Sequence, residues 1–125
     1  MTKTGKTIVA LAVTTGVLWL GTSTSLAQGK ADAKAGEGVY KKECAKCHGD
    51  GGAGDGAMGQ KLKDKPSNWA AGGGGGMKDL NDQQLFDAVA KGGPAVGKAR
   101  AMPSYPKLSE GEVWNVVAYI KTLKK

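Results

Sequence analysis

Both cysteines and the single histidine of this 125-residue chain fall within five consecutive positions, Cys44-Ala45-Lys46-Cys47-His48. On a helical turn, residues at i, i+3 and i+4 share one side, so the three side chains would all point at one object. A disulfide between Cys44 and Cys47 would close too small a loop to restrain much of the unfolded chain, so the thiols serve chemistry rather than stapling.

The N-terminus reads as a secretory leader: Lys3 and Lys6 precede an apolar run from Ile8 to Leu20, and Ser25-Leu26-Ala27 supplies small residues for cleavage. The run is shorter than the roughly 20 residues of a membrane-spanning helix and is diluted by Thr14, Thr15 and Gly16, so an uncleaved anchor is the weaker reading. Cleavage divides the chain into a signal peptide, 1–27, and a mature domain, 28–125, of 98 residues, enough for one core. Lys3 and Lys6 leave with the leader while all 11 acidic residues stay, so the net charge falls from +7 to +5. An exported chain of this charge is expected to prefer acidic partners, to bind no nucleic acid and to stay out of the membrane once processed; scattered lysines that serve solubility alone are the plainer alternative. The expected compartment is a bacterial periplasm, ahead of a thylakoid lumen.

Twenty-one glycines against three tryptophans, three tyrosines and one phenylalanine leave little apolar bulk. Small domains with thin cores lean on disulfides, metals or a cofactor. Three helices are predicted. The first opens at Asp32, a good N-cap, and carries Gly36, Tyr40 and Cys44 on one face. The second has Asn81 as N-cap, Gln84 completing a capping box, Leu80 and Leu85 as a hydrophobic staple, and a stop at Lys91 before Gly92-Gly93-Pro94. Its buried face is Leu85, Phe86 and Val89. The third starts from a Ser109/Glu112 box, with Val113, Val116, Val117 and Ile120 along its buried stripe. Lys121, Lys124 and Lys125 suit the dipole at its C-terminus.

Between the first two helices lies a glycine-dense loop with at most one helical turn near 57–61, its glycines expected to let backbone pass close to something flat or bulky. The run Gly72–Gly76 reads as a flexible linker. A second loop, Gly92 to Pro106, is stiffened by three prolines. No stretch of the mature chain alternates long enough for a strand, so the expected class is all-α.

Three chemistries compete for Cys44, Cys47 and His48. A thioredoxin-like redox pair needs a βαβ setting that this chain lacks. A zinc site needs four ligands, so carboxylates would have to complete it. Cys-x-x-Cys-His is the attachment signature of c-type haem, in which both thiols add to vinyl groups and the histidine coordinates iron. That reading uses all three side chains and supplies a large apolar filler.

On these residues the chain resembles the class I cytochrome c family along essentially its whole mature length. The resemblance aligns Gly36 and Tyr40 with the family's contact between first and last helices, Val116 and Tyr119 with the other side of that contact, and the stretch from Gly92 to Pro103 with the sixth-ligand loop. Gly54-Asp55-Gly56, Pro66 and Trp69 are similar to the family's loop after the histidine, although Ala57 stands where many relatives have proline. The resemblance implies a small cytochrome c fold, with N- and C-terminal helices packed together around one covalently bound haem c.

A single histidine cannot supply both axial ligands, and the mature methionines are Met58, Met77 and Met102. Met58 lies too close to His48 in sequence to cross the haem plane easily, and Met77 adjoins the glycine run. Met102 precedes Pro103, which biases it toward extended backbone between two anchoring helices. With the family match, the expected metal ligands are His48 and Met102 and the attachment residues Cys44 and Cys47; a gap-filling core methionine is the alternative for Met102. Leu62, Val96, Tyr105 and the last helix are candidate haem-packing residues. Trp69 and Arg100 are candidates for the haem propionates, as an N–H donor and a positive charge, with plain core or surface roles as the alternative. Lys46, Lys61, Lys63, Lys98 and Lys107 are candidates to guide an acidic partner.

The expected function is soluble one-electron transfer between periplasmic or membrane-bound redox partners, by a monomer that is not an enzyme. Two alternatives stay open: a haem enzyme or gas sensor with a labile sixth ligand, and a dedicated electron-accepting subunit of a periplasmic oxidoreductase.

Overall fold

Residues 30–70 and 78–123 are described by a computed structural model. The segment 1–29, which contains the expected leader, the segment 71–77 with the glycine run, and Lys124 and Lys125 lie outside the described residues. Among the described residues every regular element is helical, in keeping with the all-α expectation, and no helix is long and apolar enough to cross a membrane.

Asp32 starts the first helix as its side chain implies: the carboxylate accepts from the backbone N–H of Lys34 at 2.8 Å and of Ala35 at 3.3 Å. Helix α1, Ala33–Val39, passes directly into a π-helical turn, Tyr40–Cys44, and then into α2, Ala45–His48. The wider turn is closed by the Ala45 N–H, which reaches back to the Tyr40 carbonyl. Gly36, Tyr40 and Cys44 are all buried, so the expected face survives the change in winding.

Helix α3, Asp82–Lys91, has its complete capping box: Asn81 Oδ1 accepts from the Gln84 N–H, and Gln84 Oε1 from the Asn81 N–H, both at 2.9 Å. It ends at Gly92, whose φ of 91° a side chain would resist. Helix α4, Glu110–Leu123, opens with the second box, Ser109 N–H donating to Glu112 Oε2 at 2.8 Å and Glu112 N–H to Ser109 Oγ at 3.3 Å. These bonds from Ser109 hold the Glu112 carboxyl below its ordinary range. Short 3₁₀ turns at Gly59–Lys61 and Gly93–Val96 lie in the two loops.

The core is built where α1 and the π-turn cross α4, with α3 packed alongside. Val113, Val116, Val117 and Ile120 are buried, each contributing about 1.5–3 kcal/mol through apolar area removed from water. Tyr40 has no exposed surface; its ring lies 5.1 Å from that of Tyr119, and its hydroxyl donates to the Gly49 carbonyl at 2.7 Å. Asn115 joins this contact: its Oδ1 accepts from the Asp32 N–H at 2.7 Å. Phe86 packs on Trp114 at 4.7 Å between ring centroids, joining α3 to α4.

Candidate functional site

Cys44 closes the π-turn, and Cys47 and His48 lie in the last turn of α2, which Gly49 ends at a φ of 78°. Both cysteines are free thiols. The loop beyond folds back over this turn: the Gly54 N–H donates to the His48 carbonyl at 2.8 Å and the Met58 N–H to the Lys46 carbonyl at 2.9 Å. The loop glycines were expected to pass close to something flat or bulky, and Gly56 and Gly59 pass close to protein backbone. A Cβ on Gly56 would press on the carbonyls of Ala45 and Lys46, and one on Gly59 would fall on that of Cys47. Their missing side chains let the loop reach the carbonyls that a helix end leaves unpaired.

The second loop is tied down equally well. Gly93 N–H donates to the Met102 carbonyl at 3.1 Å, Lys98 N–H to the Gly93 carbonyl at 2.9 Å, and Met102 N–H to the Ala99 carbonyl at 3.2 Å. Past Met102, the Tyr105 hydroxyl donates to the Glu43 carbonyl at 3.1 Å, across 62 residues of sequence, and its N–H donates to the Val89 carbonyl. Burial pushes the Tyr105 hydroxyl up to about 12, so it stays a donor. This bond fastens the methionine loop to the residue before Cys44.

The two loops and three helical segments enclose a cavity of about 180 Å³, mostly apolar, lined by Cys44, Cys47, His48, Trp69 and Met102 together. Leu62, Leu80, Leu85, Val89 and Ile120 form much of its apolar wall, and Lys65 and Lys98 lie at its border. Of the other residues singled out in the sequence, Tyr105 lines the cavity, whereas Val96 and Arg100 do not; Arg100 is exposed. Met58 also lies outside, 54 % exposed. The contribution of Leu80, Ala88 and Lys65 was not anticipated, although the apolar face of α3 had marked its neighbours.

His48 is the electrostatic centre. Burial pushes its imidazole down to about 4, so the ring is neutral near pH 7 and keeps a lone pair for a metal. Its Nδ1 is buried without a hydrogen-bond partner among the described residues, and its face stacks on the Trp69 indole, centroids 4.4 Å apart and planes 23° from parallel. Burial likewise pushes the Cys44 thiol up to about 12. Among the described residues no three His, Cys, Asp or Glu side chains converge to hold a metal ion by themselves. Two free thiols, a neutral imidazole and a thioether in one apolar cavity fit a haem instead, because the porphyrin brings its own four nitrogen donors.

Comparison with known proteins places the chain in a family. Residues 31–120 match the family described as cytochrome C oxidase, cbb3-type, subunit III. The chain is also 34 % identical over 100 residues to a protein named thiosulfate dehydrogenase from Stutzerimonas stutzeri (strain A1501). That alignment takes in 76 % of this chain and 28 % of the relative, so the chain spans less than a third of the relative's length.

Proposed function

We propose a function from one premise: the chain belongs to the cytochrome c family described by subunit III of cbb3-type oxidase, and is thus an electron-transfer protein carrying covalently bound haem c. When bound, haem c supplies the ferric/ferrous couple, a one-electron step without substrate chemistry. Cys44 and Cys47 would hold it through their thiols, and His48 Nε2 and the Met102 sulfur would supply the protein's ligands to the iron. The observation that carries this reading is that Met102 lines the cavity shared by Cys44, Cys47 and His48, while Met58 turns to solvent. Thioether sulfur favours ferrous iron, so this pair raises the potential relative to two histidines.

The remaining residues serve the same task. Leu85, Val89 and Ile120 keep water from the site, and the bonds of Tyr105 and Gly93 restrain the loop that carries Met102. With His48 and Met102 both committed to the iron, the site would offer a substrate no open position, which supports a carrier rather than an enzyme. It acts as a periplasmic monomer, 28–125, after loss of the leader at 1–27. Trp69 and Arg100 stay as candidates for the propionates, Trp69 with the better support because it borders the cavity.

The test is an optical redox titration of leader-free protein beside Met102→Ala. The parent should show a low-spin c-type spectrum and bind no carbon monoxide when reduced. Met102→Ala should lose the sulfur-to-iron absorption, bind carbon monoxide and titrate at lower potential. Ligation unchanged in Met102→Ala would eliminate this residue.

Transient partners with acidic docking surfaces follow from the positive balance and from Lys65 and Lys98 beside the cavity. Encounter of exposed charges is screened over about 10 Å at 0.1 M salt. Electron transfer to an anionic acceptor should therefore slow as salt rises, and less steeply in Lys65→Glu/Lys98→Glu; identical salt slopes would refute the assignment. The relative named thiosulfate dehydrogenase supports a second reading, an electron-accepting partner of a dehydrogenase. Co-purification of a stoichiometric partner favours that reading, and free exchange favours the shuttle.

A further inference from the structure

We propose that Tyr105 is a positioning residue for Met102: its hydroxyl latches the methionine loop onto a carbonyl that the π-turn leaves over, and so sets how readily Met102 is displaced. The inference rests on Met102 as an axial ligand. The acceptor follows from a count along the first helical segment. The Ala45 N–H donates to the Tyr40 carbonyl, five residues back, whereas the Gly49 N–H donates to the Ala45 carbonyl, four back. Between these two bonds lie the carbonyls of Lys41, Lys42, Glu43 and Cys44 but only the N–H groups of Lys46, Cys47 and His48. The change of register therefore leaves one carbonyl more than there are backbone donors. An unbroken α-helix would have no such surplus. The Tyr105 hydroxyl, from 62 residues away, donates to the Glu43 carbonyl at 3.1 Å.

The bonds inside the loop, among Gly93, Lys98, Ala99 and Met102, fix its shape but not its place on the cavity. Among the described residues, Tyr105 makes the one hydrogen bond that joins the loop from Gly92 to Ser109 with the segment 33–48. Its own N–H donates to the Val89 carbonyl of α3 at 3.3 Å, so a single residue bridges α3 and the π-turn. Only Pro103 and Ser104 separate it from Met102. With the hydroxyl bond broken, the loop can swing about its ends and carry the thioether out of the cavity.

A small ligand replaces Met102 only while the loop is open, so its apparent affinity scales with the open fraction. Loss of one partly buried hydrogen bond raises that fraction about tenfold.

The experiment titrates ferric, leader-free holoprotein with imidazole, following the sulfur-to-iron absorption, beside Tyr105→Phe and Tyr40→Phe. Tyr40→Phe is the control, because its hydroxyl donates to the Gly49 carbonyl at 2.7 Å, a comparable bond outside the methionine loop. Urea denaturation reports what each substitution costs the whole domain. Both are also made in Gly38→Ala, where a Cβ meets nothing within 4 Å and the gain in helix propensity offsets that cost. Tyr105→Phe should bind imidazole about tenfold more tightly, with faster exchange of the residue 105 amide. Tyr40→Phe should match the parent in both while losing stability. Parental imidazole affinity in Tyr105→Phe overturns the latch, as does an equal gain in Tyr40→Phe, which would make general loosening the cause. An unchanged spectrum in Met102→Ala overturns the ligation instead, and the latch with it.

Discussion

Gly36→Val leaves the domain unfolded or less stable by more than about 3 kcal/mol, against ~5–15 kcal/mol for a typical whole domain. A Cβ at position 36 would fall on the carbonyl oxygen of Asn115, with the amide nitrogen of Val116 at 2.8 Å. These are backbone atoms of α4, and no rotamer change moves them aside. To admit the valine, α1 and α4 must separate, which loosens the contact that buries Tyr40, Val113 and Val116. Urea denaturation of the loaded protein measures the loss. Gly38 is the internal control, because a Cβ there meets nothing within 4 Å. Gly38→Ala should gain about 0.5–1 kcal/mol from helix propensity, and a similar response at both positions would refute the close-approach explanation.

Cys44→Ala/Cys47→Ala abolishes covalent haem, so that no haem remains with the polypeptide on a denaturing gel, while each single variant retains one attachment. The double variant also loses much of its stability once haem dissociates. An apolar cavity of about 180 Å³, at ~24 cal/mol per Å³, costs roughly 4 kcal/mol if it stays empty. For a domain near 100 residues that amounts to a fall of ~20 °C in Tm. Scanning calorimetry with and without added haem measures it, and added haem should restore part of the loss by mass action. Haem that survives denaturation of the double variant would disprove attachment through these thiols.

The parts of the fold readable in advance were those encoded within a few residues. Both capping boxes, the Asp32 cap, the stop at Gly92 and the stripe from Val113 to Ile120 depend on spacings of three to four positions, and each is found where those spacings imply. The π-turn at Tyr40–Cys44 was not readable, because its hydrogen-bond register differs from an α-turn by one residue while its composition does not. The loop glycines were legible as close approaches, but what they approach is the carbonyls of Ala45, Lys46 and Cys47.

The site divides along the same line. Cys44-Ala45-Lys46-Cys47-His48 determined by itself that two thiols and an imidazole would share one side of a helical turn, and so the class of chemistry open to the chain. Pro103 and the family resemblance pointed to Met102 over Met58, and Met102 borders the same cavity; tertiary structure alone decided that Tyr105 ties its loop to Glu43 and that Trp69 covers the ring of His48. Local spacing controls which side chains leave a helix together. Which distant ones meet them depends on how α1, α3 and α4 bury their apolar faces at once, and no short window of sequence contains that.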